Sequence, residues 1–289
     1  MRIAFIGLGR MGFPMAGHLV SGGYDVTVFN RSVEKSQLWS EKYKGAYVHN
    51  LADLPDDLDV IISCLKDDKS ISDILTNNYL VNKIRYGGLI IDHSTTSLEL
   101  VQKMNKFYKS KDISFYDAPV SGGEAGAQNA QLSVMVGGNK DSYKLIKPII
   151  KHYSKVIEYI GPSGSGQLTK MINQICITGV IKSLSEAINF AKAQDGLDLN
   201  KVFNAISSGA AQSWQLDNRF HSMVKEEFDF GFGIDLMIKD LKIAINQAKA
   251  NNISLDTVQS ILDEYIVLSE KGYGNQDTSS LIKSLQTPS

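Results

Sequence analysis

The stretch Arg2-Ile3-Ala4-Phe5-Ile6-Gly7-Leu8-Gly9-Arg10-Met11-Gly12 decides the fold. Ile3–Ile6 reads as a buried strand. The glycines at 7, 9 and 12 follow at G-x-G-x-x-G spacing, and Pro14–Ser21 then reads as a helix with apolar Met15, Ala16, Leu19 and Val20. A strand, a glycine turn and a helix in that order form a dinucleotide-binding turn. Gly7 permits the turn, Gly9 lets backbone approach a pyrophosphate, and Gly12 lets helix and strand pack closely. The helix start adds N–H groups and the positive end of a dipole. Leu8, Arg10 and Met11 complete this loop as cofactor-binding positions. The apolar run ends at Gly7, too short for a signal-peptide core of about 7–15 residues.

Further along, Val26–Phe29, Val60–Leu65, Leu89–Asp92, Ile113–Tyr116, Leu132–Val136 and Val156–Ile160 read as strands, with helical patterns such as Val33–Tyr43 between them. Such alternation predicts an α/β domain, a Rossmann-type doubly wound parallel sheet covered on both faces. After Gly161-Pro162-Ser163-Gly164-Ser165-Gly166 the β runs cease. Gln167–Gln194, Leu199–Ser207, Ile234–Ala250 and Leu255–Lys271 read as helices. We therefore expect an NAD(P)-binding domain over residues 1–163. An all-α C-terminal domain over 164–289 would follow, opening with a long interdomain helix and serving substrate binding and oligomerisation. The polar tail from Gly274 is expected to fray.

The 289 residues suit two domains. Net charge is -1 without blocks of one sign, so nucleic acid is not an implied partner. No apolar stretch approaches the roughly 18–20 residues of a membrane span. Cys64 and Cys176 each sit in apolar runs and read as buried, inert thiols, which fits a reducing cytoplasm. The five histidines are scattered and no metal site is expected; His18 reads as structural.

The second strand ends at Phe29-Asn30-Arg31-Ser32, with Lys35 beyond. An NAD site ordinarily carries a carboxylate there for the ribose 2′-hydroxyl. A neutral Asn30 followed by Arg31 and Ser32 favours a 2′-phosphate, so NADP is expected, with NAD as the alternative. The alternative to this reading is a solvated Arg31 at a helix start, with Ser32 as the N-cap. Lys170 and Asn173 share one face of an otherwise apolar helix, where burial would lower the pKa of a lysine and suit it to proton transfer. Ser121-Gly122-Gly123 offers a hydroxyl and closely spaced N–H groups that can hold a carboxylate.

Three further motifs accompany the glycine loop: Asp117-Ala118-Pro119-Val120-Ser121-Gly122-Gly123, Gly164-Ser165-Gly166-Gln167-Leu168-Thr169-Lys170-Met171-Ile172-Asn173, and Leu236-Met237-Ile238-Lys239-Asp240-Leu241. Together they resemble, in order and over almost the whole chain, the β-hydroxyacid dehydrogenase family. That family includes 3-hydroxyisobutyrate dehydrogenases, tartronate semialdehyde reductases and succinic/glyoxylic semialdehyde reductases. The resemblance implies a nicotinamide-dependent oxidoreductase acting on a small carboxylate-bearing hydroxy acid or semialdehyde. Lys170 would be the general acid/base and Asn173 the orienting amide, with help from Gln174 left open. Ser121, Gly122, Gly123 and Lys239 would hold the substrate carboxylate, Lys239 facing either it or the cofactor. Thr95 in Ser94-Thr95-Thr96, Leu65 and Phe232 would lie along the cofactor. Homodimers or homotetramers are implied. Gln212, Ser213 and Trp214 are candidates for shaping the substrate's end of the pocket.

The sequence departs from the family at Lys66 and Leu98, where proline is frequent. Ile172 replaces the histidine of 6-phosphogluconate dehydrogenases, and Lys170 argues against an imine reductase on the same fold. Retention of Lys170, Asn173 and Ser121 argues against a non-catalytic dinucleotide-binding module.

Overall fold

The computed structural model describes residues 1–285. The chain divides into two compact units, Met1–Lys170 and Met171 onward.

In the first unit, β1 (Arg2–Ile6), β2 (Asp25–Phe29), β3 (Ala46–Val48), β4 (Leu58–Ser63), β5 (Ile84–Asp92), β6 (Ser114–Asp117), β7 (Val120–Ser121), β8 (Leu132–Gly137) and β9 (Ser154–Gly161) make one sheet. Among the described residues its order is β3-β2-β1-β4-β5-β6-β8-β7, with β9 paired to β8. The helices of this unit are α1 (Gly12–Ser21), α2 (Val33–Tyr43), α3 (Asp68–Leu75), α4 (Asn78–Val81), α5 (Leu98–Lys109), α6 (Gly123–Gln128) and α7 (Tyr143–Ile150). From β3 to β6 every pairing is parallel. The doubly wound, parallel-dominated sheet expected from sequence is present, with an antiparallel departure at its far side, where β8 runs antiparallel to β6 and β7. The two-residue β7 lets the chain turn back between Asp117 and Leu132.

Side chains alternate across the strands and feed two cores, as the two-residue strand period demands. Ile3, Phe5, Val26, Val28, Val60 and Ile62 pack with Met15, Ala16 and Leu19 of α1 and Trp39 of α2. Ala4, Ile6, Ile61 and Ile90 pack on the opposite face with Ile71 and Leu75 of α3 and Leu100, Val101 and Met104 of α5. Most of these side chains are fully buried, each Val, Leu, Ile, Phe or Met among them worth roughly 1.5–3 kcal/mol of transfer free energy.

The helix α8 (Ser165–Lys192) starts in the first unit and continues into the second. The second unit holds α9 (Leu199–Ile206), α10 (Trp214–Lys225), α11 (Ile234–Ala250) and α12 (Asp256–Leu268). Its core joins Ile181 of α8 to Met237, Leu241 and Ile245 of α11 and Ile261, Leu262 and Tyr265 of α12. A satellite cluster joins Leu184 and Ile188 to Leu216, Phe220 and Met223 of α10.

Several expectations are corrected. The helix read as Leu255–Lys271 ends at Leu268 and passes into a π turn, Ser269–Tyr273, whose Gly272 has φ +90°. The tail from Gly274 does not fray over its described part. Thr278–Leu285 forms a 3-10 helix whose first five residues are buried, Leu281 in the α11–α12 core and Ile282 beside α10; residues 286–289 lie outside the described part. Cys176 is exposed, not buried, because α8 is not covered all round: Leu168, Ile172, Val180 and Phe190 also face outward. Cys64 is half-buried rather than buried, and desolvation pushes its thiol up to about 12, which disfavours the reactive thiolate. Among the described residues no helix is long and apolar enough to cross a membrane.

Candidate active site

The glycine loop has the geometry its spacing promises. Gly7 has φ +98°, and a Cβ there would collide with the Cys64 carbonyl; a Cβ on Gly12 would collide with the Gly7 carbonyl. A Cβ on Gly9 would meet nothing within 4 Å, so that position faces open space where a ligand can come against the backbone. The α1 N-cap is Met11, with no side-chain cap and no acidic residue in the first turn. Phe13 N–H is already bonded to the Gly9 carbonyl at 3.1 Å, so what this turn offers an anion is the positive end of its dipole, uncovered by a side-chain cap or a carboxylate of its own. Asn30 holds the loop in place: its Oδ1 accepts from Leu8 N–H at 2.9 Å and its Nδ2 donates to the Ser32 carbonyl at 3.0 Å. Ser32 occupies the N-cap position of α2, but its side chain makes no capping bond. Arg31, Ser32 and Lys35 are exposed. Beside the loop, Arg10, Lys35 and Lys42 line a cavity of about 580 Å³ together with Gly9, Phe13, Tyr43 and a single carboxylate, Glu124. The open Gly9 cradle, the uncapped turn and these cations fit an anionic dinucleotide.

Buried carboxylates organise the carboxyl ends of the central strands. Asp92, closing β5, accepts from the hydroxyls of Ser63 (2.8 Å) and Ser94 (2.6 Å) and from Ser94 N–H (3.1 Å). Ser94 Oγ in turn accepts from Leu65 N–H at 2.7 Å. The loops carrying Leu65 and Thr95 are thus fixed to each other. Asp117, the register partner of Asp92 on β6, accepts from Gly164 N–H at 2.7 Å and Gln167 N–H at 3.0 Å. It caps the start of α8 from a strand 47 residues upstream. A Cβ on Gly137 would strike this carboxylate, and one on Gly166 would strike the carbonyls of Asp117 and Met135 as well as the carboxylate; Gly164 has φ +98°, and a Cβ there would strike Leu98. Burial pushes both carboxyls up to about 6, against the lowering effect of their hydrogen bonds. Burial pushes His93 down to about 4; its Nδ1 faces the Ala118 carbonyl at 2.6 Å and its Nε2 the Tyr153 hydroxyl at 2.8 Å.

Lys170 lies on α8, one turn beyond Gln167, and is only 7% exposed. Ser121 ends β7 opposite Ser133 of β8. Gly122 and Gly123 then take φ +128° and +63°, conformations that glycine alone adopts freely, and α6 begins. Both ends of α6 meet α1 or its loop. Arg10 Nε is 3.9 Å from Glu124, and His18 Nε2 lies 3.0 and 3.1 Å from the carbonyls of Ala127 and Gln128. His18 is structural in this sense: it supplies a donor to the last, otherwise unpaired carbonyls of α6.

In the second unit the structure joins two expected site residues through two others. Asn173 Nδ2 donates to Gln174 Oε1 at 2.8 Å, and Gln174 Nε2 donates to Asp240 Oδ2 at 2.7 Å. Asp240 Oδ1 pairs with Lys239 Nζ at 2.8 Å, an ion pair outside hydrogen-bond geometry. Gln174 and Asp240 are each 2% exposed. Phe232 stands apart from this chain: its ring packs on the α11–α12 core and its N–H donates to Asp277 at 3.0 Å. Ser213 caps α10 through Leu216 N–H, Gln212 bonds Asp217, and the guanidinium of Arg219 lies over the Trp214 ring. Sequence reasoning passed over Asp92, Asp117, Gln167 and Asp240. Three of them stand inside the quoted motifs, and only their distant partners reveal what they do.

Residues 2–161 match the NAD-binding domain of 6-phosphogluconate dehydrogenase, and residues 164–285 the NAD-binding domain of NADP-dependent 3-hydroxyisobutyrate dehydrogenase. An uncharacterized oxidoreductase of Shewanella frigidimarina is 44% identical over 99% of this chain and 98% of its own. The 2-hydroxy-3-oxopropionate reductase of Escherichia coli is 31% identical over 99% of this chain and 97% of its own. Among solved structures, the 3-hydroxyisobutyrate dehydrogenase of Mycobacterium tuberculosis with L-serine superposes with a TM-score of 0.86 at 26% identity, covering 99% of both chains. The chain belongs to the β-hydroxyacid dehydrogenase family of NAD(P)-dependent oxidoreductases.

Proposed function

We propose that this protein transfers hydride between NADP(H) and a small β-hydroxy carboxylate or its semialdehyde, with Lys170 as general acid and base. The burial of Lys170 on a helix whose start is tied to the strand ends carries this reading. An exposure of 7% sets Lys170 apart from a solvated helix lysine and supports this reading. When bound, the nicotinamide supplies or accepts the hydride. In reduction Lys170 Nζ gives its proton to the substrate's carbonyl oxygen; in oxidation it takes the hydroxyl proton. Asn173, oriented by Gln174, holds that oxygen in line. Ser121, Gly122, Gly123 and Lys239 hold the carboxylate. Residues 1–163 serve the dinucleotide, whose pyrophosphate Leu8–Gly12 receive, with Leu65, Thr95 and Phe232 along its length. Residues 164–289 serve the substrate and self-association.

The NADP preference is supported by exposed Arg31 and Ser32, the latter not used as a cap, and by the neutral Asn30 at the end of the second strand, where an NAD site ordinarily carries a carboxylate. A small carboxylate with a 3-hydroxyl is supported by the L-serine in the Mycobacterium tuberculosis structure and by the hydroxy-oxo acid of the Escherichia coli relative. Two unpaired cysteines suit the cytoplasm. Oxidation of NADPH and of NADH with glyoxylate and with succinic, methylmalonic and tartronate semialdehydes tests the reading. We expect turnover on at least one with NADPH favoured. Tight dinucleotide binding without turnover on any would make the chain a binding module.

A further inference from the structure

Gln167 is completely buried in the first turn of α8, yet its side chain serves another loop. Its Nε2 donates to the Ser94 carbonyl at 2.7 Å, and its Oε1 accepts from Thr96 N–H at 3.1 Å. Backbone groups on either side of Thr95 are thus held by one amide from 71 to 73 residues away. The N–H of the same residue donates to Asp117 at 3.0 Å. Gln167 is therefore fixed at both ends, to β6 through its backbone and to the loop after β5 through its side chain. Lys170 is the next residue on that face of the helix, three positions on. Any shift of Gln167 along or around the helix axis carries Lys170 with it.

We propose that Gln167 is a positioning residue for the proton transfer assigned above to Lys170, and the proposal rests on that assignment. Its amide sets the register between Thr95 and Lys170. A glutamine suits this place because the loop presents one acceptor and one donor at once, which a carboxamide matches at any pH and a carboxyl only when protonated.

Gln167→Leu removes both bonds at similar volume, and Gln167→Glu keeps the acceptor alone. We expect Gln167→Leu to lower kcat by about 30- to 100-fold, the scale of an ångström of misplacement. The dissociation constant of NADPH and the KM of the best semialdehyde should stay within about threefold. In Gln167→Glu the introduced carboxyl regains a donor when protonated. Its kcat relative to the parent should therefore recover toward acid pH, while that of Gln167→Leu stays at a constant ratio. A Gln167→Leu enzyme within about threefold of the parent in kcat, or losing NADPH affinity as much as kcat, overturns the proposal. Should Gln167→Leu fail to fold, a pH-independent deficit in Gln167→Glu overturns it and acid recovery supports it. A parent inactive on every semialdehyde removes the functional reading itself; an active parent with an unaffected variant removes only this role for Gln167.

Discussion

Gln174 Nε2 donates to Asp240 Oδ2 at 2.7 Å, and this single bond connects Asn173 to Lys239. The direction of the chain matters. A carboxylate accepts only, so Gln174 must present its NH₂ to Asp240 and its oxygen to Asn173. That in turn fixes which way the Asn173 amide points. Asp240→Leu should leave the buried Gln174 donor without its carboxylate partner. We expect a loss of about 1–3 kcal/mol in stability and a drop in kcat, because Asn173 is released. Thermal melts and steady-state kinetics on the same preparation check both. Unchanged kcat in a folded Asp240→Leu protein would mean that the orientation of Asn173 does not matter to turnover.

Cofactor choice should follow Arg31. Arg31→Ala removes a charge-assisted fork worth about 1.5–3 kcal/mol, roughly 10- to 100-fold in affinity, from NADPH alone. Titration of both reduced cofactors checks this. Equal weakening of NADH and NADPH, or a native preference for NADH, would assign Arg31 to the surface.

The buried histidine and the buried aspartates push stability in opposite directions with pH. His93 is depressed from 6.5 to about 4, so its contribution is present above pH 6.5 and is lost as pH falls through 4. Asp92 and Asp117 are raised from 3.8 to about 6, so theirs is present below pH 3.8 and is lost as pH rises through 6. Each full shift corresponds to roughly 3 kcal/mol. Urea melts between pH 4 and 7 should show the parent losing its margin over His93→Gln toward acid. Its margin over Asp92→Asn should grow over the same range. Parallel curves would place these groups outside the titration that governs folding.

What was legible in the sequence was local. Ile3–Gly12 and Val33–Tyr43 announce themselves because each pattern and its breaker lie within a dozen residues. The strand ends are another matter. Asp117 reads as part of a motif, but that it caps α8 depends on a bond spanning 47 residues. The amide of Gln167 reaches back more than 70 residues, and no spacing rule reports that. α10 was missed because Trp214–Lys225 is largely polar, with only Leu216, Phe220 and Met223 buried. The tail misled for the opposite reason: Ser279 and Ser280 look solvent-loving, yet they are buried and bonded to Asp277.

The exposed face of α8 should be covered by a second copy of the chain. Ile172 is 61% exposed and Phe190 67%, with Val180 also outward. Large apolar side chains recurring on a single helix are costly to leave in water. Light scattering should find a dimer or tetramer, and Ile172→Asp together with Phe190→Asp should shift it toward monomer. A parent that stays monomeric across a wide concentration range would leave this face without that partner.

Lys170→Ala should separate binding from chemistry. The loop proposed to receive the cofactor is built from Gly7, Gly9, Gly12 and the Asn30 bridge, none of them on the helix that carries Lys170. NADPH affinity should therefore be nearly unchanged. The proton for the carbonyl oxygen must come from a fixed donor, and removing a positioned acid–base group lowers kcat by roughly 10²- to 10⁴-fold. Lys170→Arg should restore little, because a guanidinium stays protonated and cannot alternate between acid and base. The substitution also empties a buried site, since Lys170 is 7% exposed, so a thermal melt must accompany the kinetics. The pH profile supplies the remaining control. A working Lys170 gives one limb of the dependence of kcat on pH, and that limb should vanish in Lys170→Ala. A folded Lys170→Ala enzyme that keeps the limb and turns over within a few-fold of the parent would make the lysine structural, and the donor would have to be sought on another residue.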